Sequence, residues 1–146
     1  MTIEGDYEPS TWDWVARQVA RYESSGGTQG TTVQGVPVVV MTMRGHRTGK
    51  VRKAAVMRVE HEGTYAAVAS KGGDDHHPGW YLNLLAEPDV TVQDGPQVHE
   101  VRARVVDGDE KAAWWARATA VWPAYDDYQR RTERPIPVVL LEPREA

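Results

Sequence analysis

Short apolar runs separated by glycine-rich turns dominate the chain from residue 36 onward. The run from Val36 to Met43 is β-branched and nearly continuous, which predicts a buried strand. Arg52 to Glu60 and Thr64 to Ser70 have the same character, and the Glu62-Gly63 pair between them predicts a tight hairpin. These runs are short and closely spaced, so they indicate an antiparallel sheet.

The second half of the chain repeats this pattern and ends with it. Val90 to Gln93 and Val98 to Val106 flank Asp94-Gly95, which predicts another hairpin. Ile136 to Glu142 is predicted to be the final strand. Charged and apolar positions alternate in the longer hairpin strand, so we expect one solvent-exposed face and one buried face. The exposed face would carry Glu100, Arg102 and Arg104, and the buried face Val101, Ala103 and Val105.

The N-terminal region has a helical pattern followed by a glycine-rich segment. Trp12, Val15 and Val19 recur at helical spacing up to about residue 23, and Ser10 or Thr11 is positioned to cap the helix. Residues 24–35 are rich in glycine, serine and threonine, which predicts a flexible loop. We therefore divide the chain into an N-terminal helix and loop, residues 1–35, and a main body, residues 36–146, within a single domain.

Three further helices are predicted by their boundary residues. Pro78 stands near the first turn of a short helix that contains WYLNLLAEP. Asp107 and Glu110 have the spacing of a capping box at the start of a longer helix. Pro123 breaks that helix and can start another, which runs to about Arg131. Antiparallel strands with segregated helices predict a small α+β or barrel architecture.

Composition excludes several classes of chemistry. The 146 residues contain no cysteine, which excludes disulfides, thiolate nucleophiles and cysteine–metal centres from this chain. The net charge of −4 disfavours nucleic-acid binding. No apolar run approaches 18 residues and no signal peptide is recognisable, so we expect a cytoplasmic protein. The N-terminal helix is amphipathic through Trp12, Trp14 and Val15, which leaves open a weak peripheral contact with the inner membrane face.

A concentrated basic segment is the first candidate for chemistry. Gly45 and Gly49 let the backbone approach a ligand, and the surrounding cations suit phosphate or carboxylate groups. The segment lacks the Walker A pattern, and the alternative interpretation is a solvated hairpin end. It holds five of the 17 lysines and arginines within ten positions: Arg44, Arg47, Lys50, Arg52 and Lys53.

A second candidate follows the third predicted strand directly. The run from Ser70 to Gly73 presents successive backbone amides beside a lysine, an arrangement that favours an anion or a polarised carbonyl. The alternative interpretation is a plain glycine-rich turn with Asp74 or Asp75 capping the next helix. The adjacent His76 and His77 lack the spacing of metal ligands, so we expect no metal site.

An aromatic series near the C-terminus is the third candidate. Trp122, Tyr125 and Tyr128 are three residues apart and would share one side of a helix, where they could pack or donate hydrogen bonds to a substrate oxygen. The sequence has neither a GxSxG nucleophile elbow nor a GxGxxG fingerprint. Amides, cations, hydroxyls and aromatic walls together suit a protein that binds an anionic cofactor and leaves the hard chemistry to it.

These three segments, in this order, resemble the deazaflavin (coenzyme F420)-dependent nitroreductase family. They read MTMRGHRTGKVR, ASKGGDDHHPGWYLNLLAEP and VWPAYDDYQRRTERPIPVVLLEP, and the resemblance covers residues 36–143. It implies a mainly β, α+β fold: a split β-barrel of the flavin-reductase and pyridoxamine-phosphate-oxidase type, with flanking helices. It also implies that the barrel binds the deazaflavin ring, while a basic groove binds the phosphate and oligoglutamate tail.

The resemblance assigns expected roles to individual residues. Those expected to bind the phosphate or the glutamate tail are Arg47, Lys50 and Arg52. Those expected to line the ring are Ala54, Ala55, Val56 and Met57. A further group is expected to contact the carbonyl edge of the ring or the adjoining side chain of the cofactor, or to support that region. Its members are Ala69, Ser70, Lys71, Gly72, Trp80 and Asn83. Those expected to act on the substrate side are Ser70, Trp122, Tyr125 and Tyr128.

The implied reaction is hydride transfer from reduced F420 to an electron-poor acceptor. An activated enone or lactone, a quinone and a nitro compound are the acceptor classes. Met57 and Trp122 stand where nitroimidazole-reducing members have tyrosine, which argues against that substrate class. Ser70 and Tyr128 are the leading hydrogen-bond donors, with Tyr125 next. Two alternatives stay open: a non-catalytic F420 carrier and a reductase that uses flavin mononucleotide on the same barrel.

Overall fold

One antiparallel sheet of eight strands forms the body of the protein, seen here in a computed structural model that describes residues 3–144. The strands are β1 (Thr32–Val33), β2 (Val36–Arg44), β3 (Val51–Met57), β4 (Val59–His61), β5 (Thr64–Val68), β6 (Asp89–Asp94), β7 (Gln97–Val106) and β8 (Val138–Pro143). Both predicted hairpins are present, because β4 pairs with β5 and β6 pairs with β7.

The strand order requires the sheet to curl into a barrel. Strands run in the order β1-β2-β6-β7-β8-β5-β4, and β3 pairs with β2. Because β3 and β4 lie at opposite ends of this order but only Arg58 separates them in the chain, the two ends of the sheet must approach each other. The expected split β-barrel is therefore confirmed. The single strand predicted from Arg52 to Glu60 is wrong in one respect, since Arg58 divides it into strands of two different pairings.

Within residues 3–144, four α-helices and one 3-10 turn accompany the sheet. They are α1 (Asp13–Ser24), the turn at Lys71–Gly73, α2 (Gly79–Ala86), α3 (Gly108–Val121) and α4 (Ala124–Arg130). The predicted capping box of α3 is wrong: Asp107 makes no side-chain cap bond, and the Glu110 carboxylate instead accepts two hydrogen bonds from Arg104 on β7. A strong charged partner nearby outcompetes the backbone amide for that carboxylate.

The start of α1 also differs from the prediction. Trp12 occupies the N-cap position and makes no side-chain cap bond. The Ser10 hydroxyl oxygen accepts a hydrogen bond from the Trp12 amide at 3.2 Å, one residue before the helix begins. Ser10 thus stabilises the approach to α1 and does not cap it.

The continuous apolar character of β2 follows from burial on both faces. Val39 and Met41 point into the barrel, where they pack with residues of β6, β7 and β8. Val38 and Val40 point outward and are covered by α1 through Val19 and Tyr22. A strand covered on both sides has no solvent-facing positions, so its sequence does not alternate.

The outer face of β8 and β5 is covered by α3 and α4. Val138 and Leu140 are buried there with Trp114 and Tyr125. The alternation predicted for β7 fails at its end, because Val105 is exposed. Val105 and Leu85 of α2 both line a small apolar depression on the barrel surface.

The segment predicted as a flexible loop, residues 24–35, is attached to the barrel at several points. It contains β1, which pairs with the start of β2. Just before this segment, the hydroxyl of Tyr22 on α1 accepts from the Gly95 amide at 2.7 Å and donates to the Gln93 carbonyl at 3.2 Å. A Cβ on Gly27 would stand 2.0 Å from the Gly95 carbonyl oxygen, so only glycine permits this close packing. Among residues 3–144, no helix is long and apolar enough to cross a bilayer.

Candidate functional site

A groove of about 1040 Å³ brings the three candidate segments together. Its walls include residues 45–48 after β2, residues 52–57 of β3, residues 70–72 after β5, and the aromatic series around α4. The N-terminal helix and the start of α2 complete the rim. The segments are far apart in the sequence, and the curled sheet places them around one cavity.

The edge of β3 provides one wall of this groove. In the described residues β3 pairs with β2 alone among the named strands, so its second edge is available over most of its length. An unpaired strand edge presents backbone N–H and carbonyl groups in alternation. Ala54 and Ala55 add only methyl groups, and all four residues predicted to line a flat ring contribute to the wall: Ala54, Ala55, Val56 and Met57.

The predicted basic residues are not equivalent in the structure. Arg47 lines the groove, and within residues 3–144 its guanidinium has no hydrogen bond or ion pair. Arg52 also lines the groove, but its Nη1 donates to Glu8 Oε1 at 2.9 Å. Lys50 is exposed and does not line the groove. The structure therefore places Arg47 and Arg52 at the site and leaves Lys50 outside it.

Two more cations near the groove differ in the same way. Lys53 is paired with Glu23 of α1. Lys71 lines the groove opposite the basic segment, and no carboxylate of the described chain pairs with it. Arg47 and Lys71 are thus the groove cations that an incoming anion could approach without displacing an acidic side chain.

Consecutive backbone amides after β5 form a concave cluster of the kind that binds anions. Ser70 has helical dihedral angles, and Lys71 and Gly72 follow with φ of 45° and 65°. Successive residues of opposite handedness turn their N–H groups toward one point, a geometry known as a nest. In the described residues the amides of Ser70, Lys71 and Gly72 make no hydrogen bond, whereas Gly73 donates back to Ser70. Ala69, expected to touch the cofactor, is fully buried behind the nest.

The nest is packed directly against α4. A Cβ on Gly73 would stand 2.8 Å from the Tyr128 carbonyl oxygen, and φ at this residue is +85°, so glycine is required twice over. Thr132 Oγ1 donates to Asp75 Oδ1 at 2.8 Å. Arg134 donates to three carbonyl oxygens of the same loop. Sequence reasoning missed Thr132 and Arg134, because nothing in their local pattern identifies a partner some sixty residues away.

The aromatic series forms the wall beside the nest. Tyr125 is only 5% exposed and lines the groove. Its hydroxyl has no hydrogen-bond partner in the described residues. Burial, with a smaller contribution from Tyr128, raises the pKa of the Tyr125 phenol above its ordinary value. Trp122 Nε1 donates to the Tyr128 hydroxyl at 3.3 Å, which leaves the Tyr128 proton available to another acceptor. Ser70 also lines the groove and is 7% exposed.

Trp80 and Asn83 lie on α2 at the basic end of the groove. Trp80 is half-buried and contributes to the wall. Asn83 Oδ1 accepts from the His46 amide at 2.9 Å and faces His46 Nδ1 at 2.6 Å, so it ties the basic loop to α2. The supporting role predicted for Asn83 has this physical basis, while its contact with a ligand stays a prediction.

The N-terminal region contributes residues that the motifs did not indicate. Glu8, Gln18 and Val33 line the groove, as do Trp12 and Trp14. These two tryptophans are 60% and 57% exposed, with ring centroids 6.4 Å apart at the groove mouth. Their exposure is compatible with the membrane contact considered above, which stays a prediction.

The donor set matches a ligand with a flat ring and an anionic tail. Small side chains and free backbone groups stand along β3, an amide nest lies beside them, and unpaired cations are available at Arg47 and Lys71. These features suit a ring with polar carbonyl edges and negatively charged substituents. The residues present therefore fit coenzyme F420.

Comparison with known proteins indicates the same cofactor. A family model described as F420H(2)-dependent quinone reductase matches residues 14–143. An F420H(2)-dependent quinone reductase of Mycobacterium tuberculosis is 37% identical over 144 residues, covering 90% of this chain and 97% of that protein. A solved F420-H2 dependent reductase (FDR-A) is 48% identical with a TM-score of 0.69, covering 73% of this chain and 94% of the other.

A further solved structure, described as a domain-swapped dimer, is 46% identical. It has a TM-score of 0.72 and covers 91% of this chain and all of the other. The similarity thus extends over the barrel, the groove and most of the N-terminal region.

Proposed function

Since the chain belongs to the F420H2-dependent quinone reductase family and is an F420H2-dependent oxidoreductase, we propose that its acceptor is a quinone. When bound, the reduced deazaflavin supplies the hydride. The protein then has to hold two flat molecules in contact and stabilise the negative charge that develops on the acceptor. Each of these tasks corresponds to a group of residues in the groove.

Cofactor binding is proposed to use the end of the groove that carries unpaired donors. Arg47 and Lys71 would attract the anionic tail, and the amides of Ser70 to Gly72 would bind a polarised or anionic oxygen. Ala54 and Ala55 would let the ring approach the β3 edge closely. Arg52 would contribute only where the tail displaces Glu8 from it.

The acceptor is proposed to lie against Tyr125 and Tyr128. Two-electron reduction of a quinone adds one hydride and one proton, and the negative charge passes through a quinone oxygen before that oxygen is protonated. A phenol is protonated at neutral pH, and burial raises the pKa of Tyr125 further, so its hydroxyl can donate a hydrogen bond to this oxygen. Tyr128 can donate as well, since Trp122 already occupies its oxygen as an acceptor.

One observation carries the proposal: Tyr125 is a buried tyrosine at the groove wall whose hydroxyl has no partner in the described residues. The hydroxyl is reached from the groove and makes no hydrogen bond within the described residues, so it is free to donate to a ligand there. A quinone carbonyl is an acceptor of the required kind. Enone and nitro acceptors present similar oxygens, but Met57 and Trp122 offer no additional hydroxyl to hold a nitro group.

The test is anaerobic oxidation of F420H2 by purified protein with and without added acceptor. We expect saturable F420 binding and rapid oxidation with menadione, with slower oxidation by an enone or a nitroimidazole. Binding of F420H2 without oxidation by menadione would overturn the proposal that the acceptor is a quinone. A purified protein that retains flavin mononucleotide and ignores F420 would support the flavin alternative.

A further inference from the structure

Arg134 makes an unusual number of directed contacts for a residue in a loop. It lies between α4 and β8 and is half-buried. Its Nε donates to the Asp74 carbonyl at 2.8 Å, Nη2 to the Ser70 carbonyl at 2.9 Å, and Nη1 to the Ala69 carbonyl at 3.2 Å. Nη1 also approaches His77 Nδ1 at 3.2 Å. Four of its five N–H donors are thus directed at one nine-residue stretch.

Two of these bonds set the direction of the nest. In a trans peptide the carbonyl and the following N–H point in opposite directions. Arg134 holds the carbonyls of Ala69 and Ser70, so the amides of Ser70 and Lys71 must point away from it. Ser70 and Lys71 line the groove, so the guanidinium fixes two of the three nest donors on the groove side.

The fourth contact determines which ring nitrogen of neutral His77 carries the proton. A guanidinium can only donate, so Nδ1 of neutral His77 must be the acceptor, and the ring proton must reside on Nε2. The ring is packed on Tyr81, with centroids 4.6 Å apart, which restricts its orientation. His77 lines the groove, and in the described residues its Nε2 has no partner. One arginine therefore prepares amide donors and a ring N–H donor at the same wall.

We propose that Arg134 is a positioning residue for F420 binding: it aims the Ser70 and Lys71 amides and holds His77 as an Nε2–H donor toward one anionic or polarised oxygen of the cofactor. The inference rests on F420 dependence and not on the choice of acceptor. Lysine cannot replace Arg134, since a single ammonium group cannot serve four acceptors in this planar arrangement.

The first experiment measures F420 binding by fluorescence, without any acceptor. We expect Arg134→Lys to weaken F420 affinity about tenfold or more. The matched control is Arg130→Lys, because Arg130 is an exposed residue of α4 whose ion pair is with Asp127, and its affinity should stay within about twofold. A folded Arg134→Lys variant that binds F420 as tightly as the parent would overturn the proposal.

His77 variants test the other end of the contact without touching the arginine. Gln places an amide N–H near the position of Nε2, so His77→Gln should bind F420 about as well as the parent. His77→Leu removes the donor and should lose about tenfold in affinity. Equal binding by the Leu and Gln variants would remove His77 from the assignment.

The second experiment reads the tautomer directly and needs neither cofactor nor acceptor. Nitrogen-15 NMR of the His77 ring, at a pH where the ring is neutral, should show the proton on Nε2 in the parent and a mixture of both tautomers in Arg134→Lys. A proton on Nδ1 in the parent would contradict the proposal. Should the parent fail to bind F420, the proposed function falls, while this measurement still judges the Arg134 contact on its own.

Discussion

Two tyrosines of this barrel are equally buried but differ in the hydrogen bonding of their hydroxyl groups. Tyr65 and Tyr125 are both 5% exposed, and burial is the largest cause that raises the pKa of each. The Tyr65 hydroxyl donates to Asp94 Oδ2 at 2.6 Å, and Arg58 Nε lies 3.0 and 3.1 Å from the two oxygens of that carboxylate. Tyr125 has no such partner in the described residues.

The difference separates a hydroxyl that is already bonded within the fold from a hydroxyl that is free to bond a ligand. Tyr65, Asp94 and Arg58 connect β5, the end of β6 and the residue that joins β3 to β4, so they fasten the barrel where its sheet ends meet. Tyr125 packs its ring equally well but leaves the hydroxyl at the groove wall. Burial alone would not distinguish them; the partner of the hydroxyl does.

The largest effect should come from removing the unpartnered hydroxyl. We expect Tyr125→Phe to lower quinone turnover about 10²-fold, as loss of one preorganised donor to a developing oxyanion typically does. F420 affinity should change little, because the assigned cofactor donors lie elsewhere. Anaerobic turnover and F420 binding, measured on the same preparation, check both statements.

The matched control for this variant is Tyr65→Phe, which removes a hydroxyl that lies outside the groove. Its turnover per folded molecule should equal that of the parent. Equal turnover losses in the two variants would show that general loosening, and not donation by Tyr125, explains the effect.

The next largest effect concerns stability, and here the interactions of Tyr65 matter more than those of Tyr125. Asp94→Ala leaves the Tyr65 hydroxyl and the Arg58 guanidinium without their shared acceptor, and should lower the free energy of unfolding by about 2 kcal/mol, allowing for the partial exposure of Arg58. Tyr125→Phe should change the free energy of unfolding by less than about 0.5 kcal/mol, because no hydrogen bond is lost. Urea denaturation followed by tryptophan fluorescence measures both.

The smallest effect is a pH dependence that the two tyrosines share. A phenol whose pKa is raised in the folded state binds its proton more tightly there than in the unfolded chain, whose tyrosines ionise near the ordinary value of 10.0. Their contribution to stability is therefore complete below that value and is lost as the pH rises above it.

We expect Tyr65→Phe and Tyr125→Phe each to make the alkaline decline in the free energy of unfolding shallower. Denaturation curves collected between neutral pH and about pH 11 measure that slope. An unchanged slope in either variant would show that its phenol ionises normally in the folded protein.

The sequence was most informative where a pattern is local. The strand from Val36 to Met43 and the hairpins at Glu62-Gly63 and Asp94-Gly95 were predicted close to their observed places, because pairing across a tight turn depends on neighbouring residues. The Asp107–Glu110 capping box was wrong because Arg104 on β7 competes for the same carboxylate. No local rule contains that competitor.

The groove shows the same limit more strongly. The sequence shows which residue types the three segments contain. The identity of the ligand was inferred from the family resemblance. Arg134 reaches Ala69 and Ser70 across more than sixty residues, and Glu8 reaches Arg52 across forty-four. Such contacts exist only once the barrel has curled, so single-sequence reasoning could identify the donors but not which of them were already engaged.

The Glu8–Arg52 contact has a thermodynamic consequence for whatever enters the basic end of the groove. The protein supplies its own carboxylate to that guanidinium, so binding there is an exchange of one anion for another and not the filling of an empty place. In an exchange, the observed affinity reflects the difference between two similar interactions, and a ligand gains most where its charges outnumber the one it displaces. A polyanionic tail should therefore bind here in preference to a singly charged metabolite, because only the tail brings more negative charge than the carboxylate it displaces.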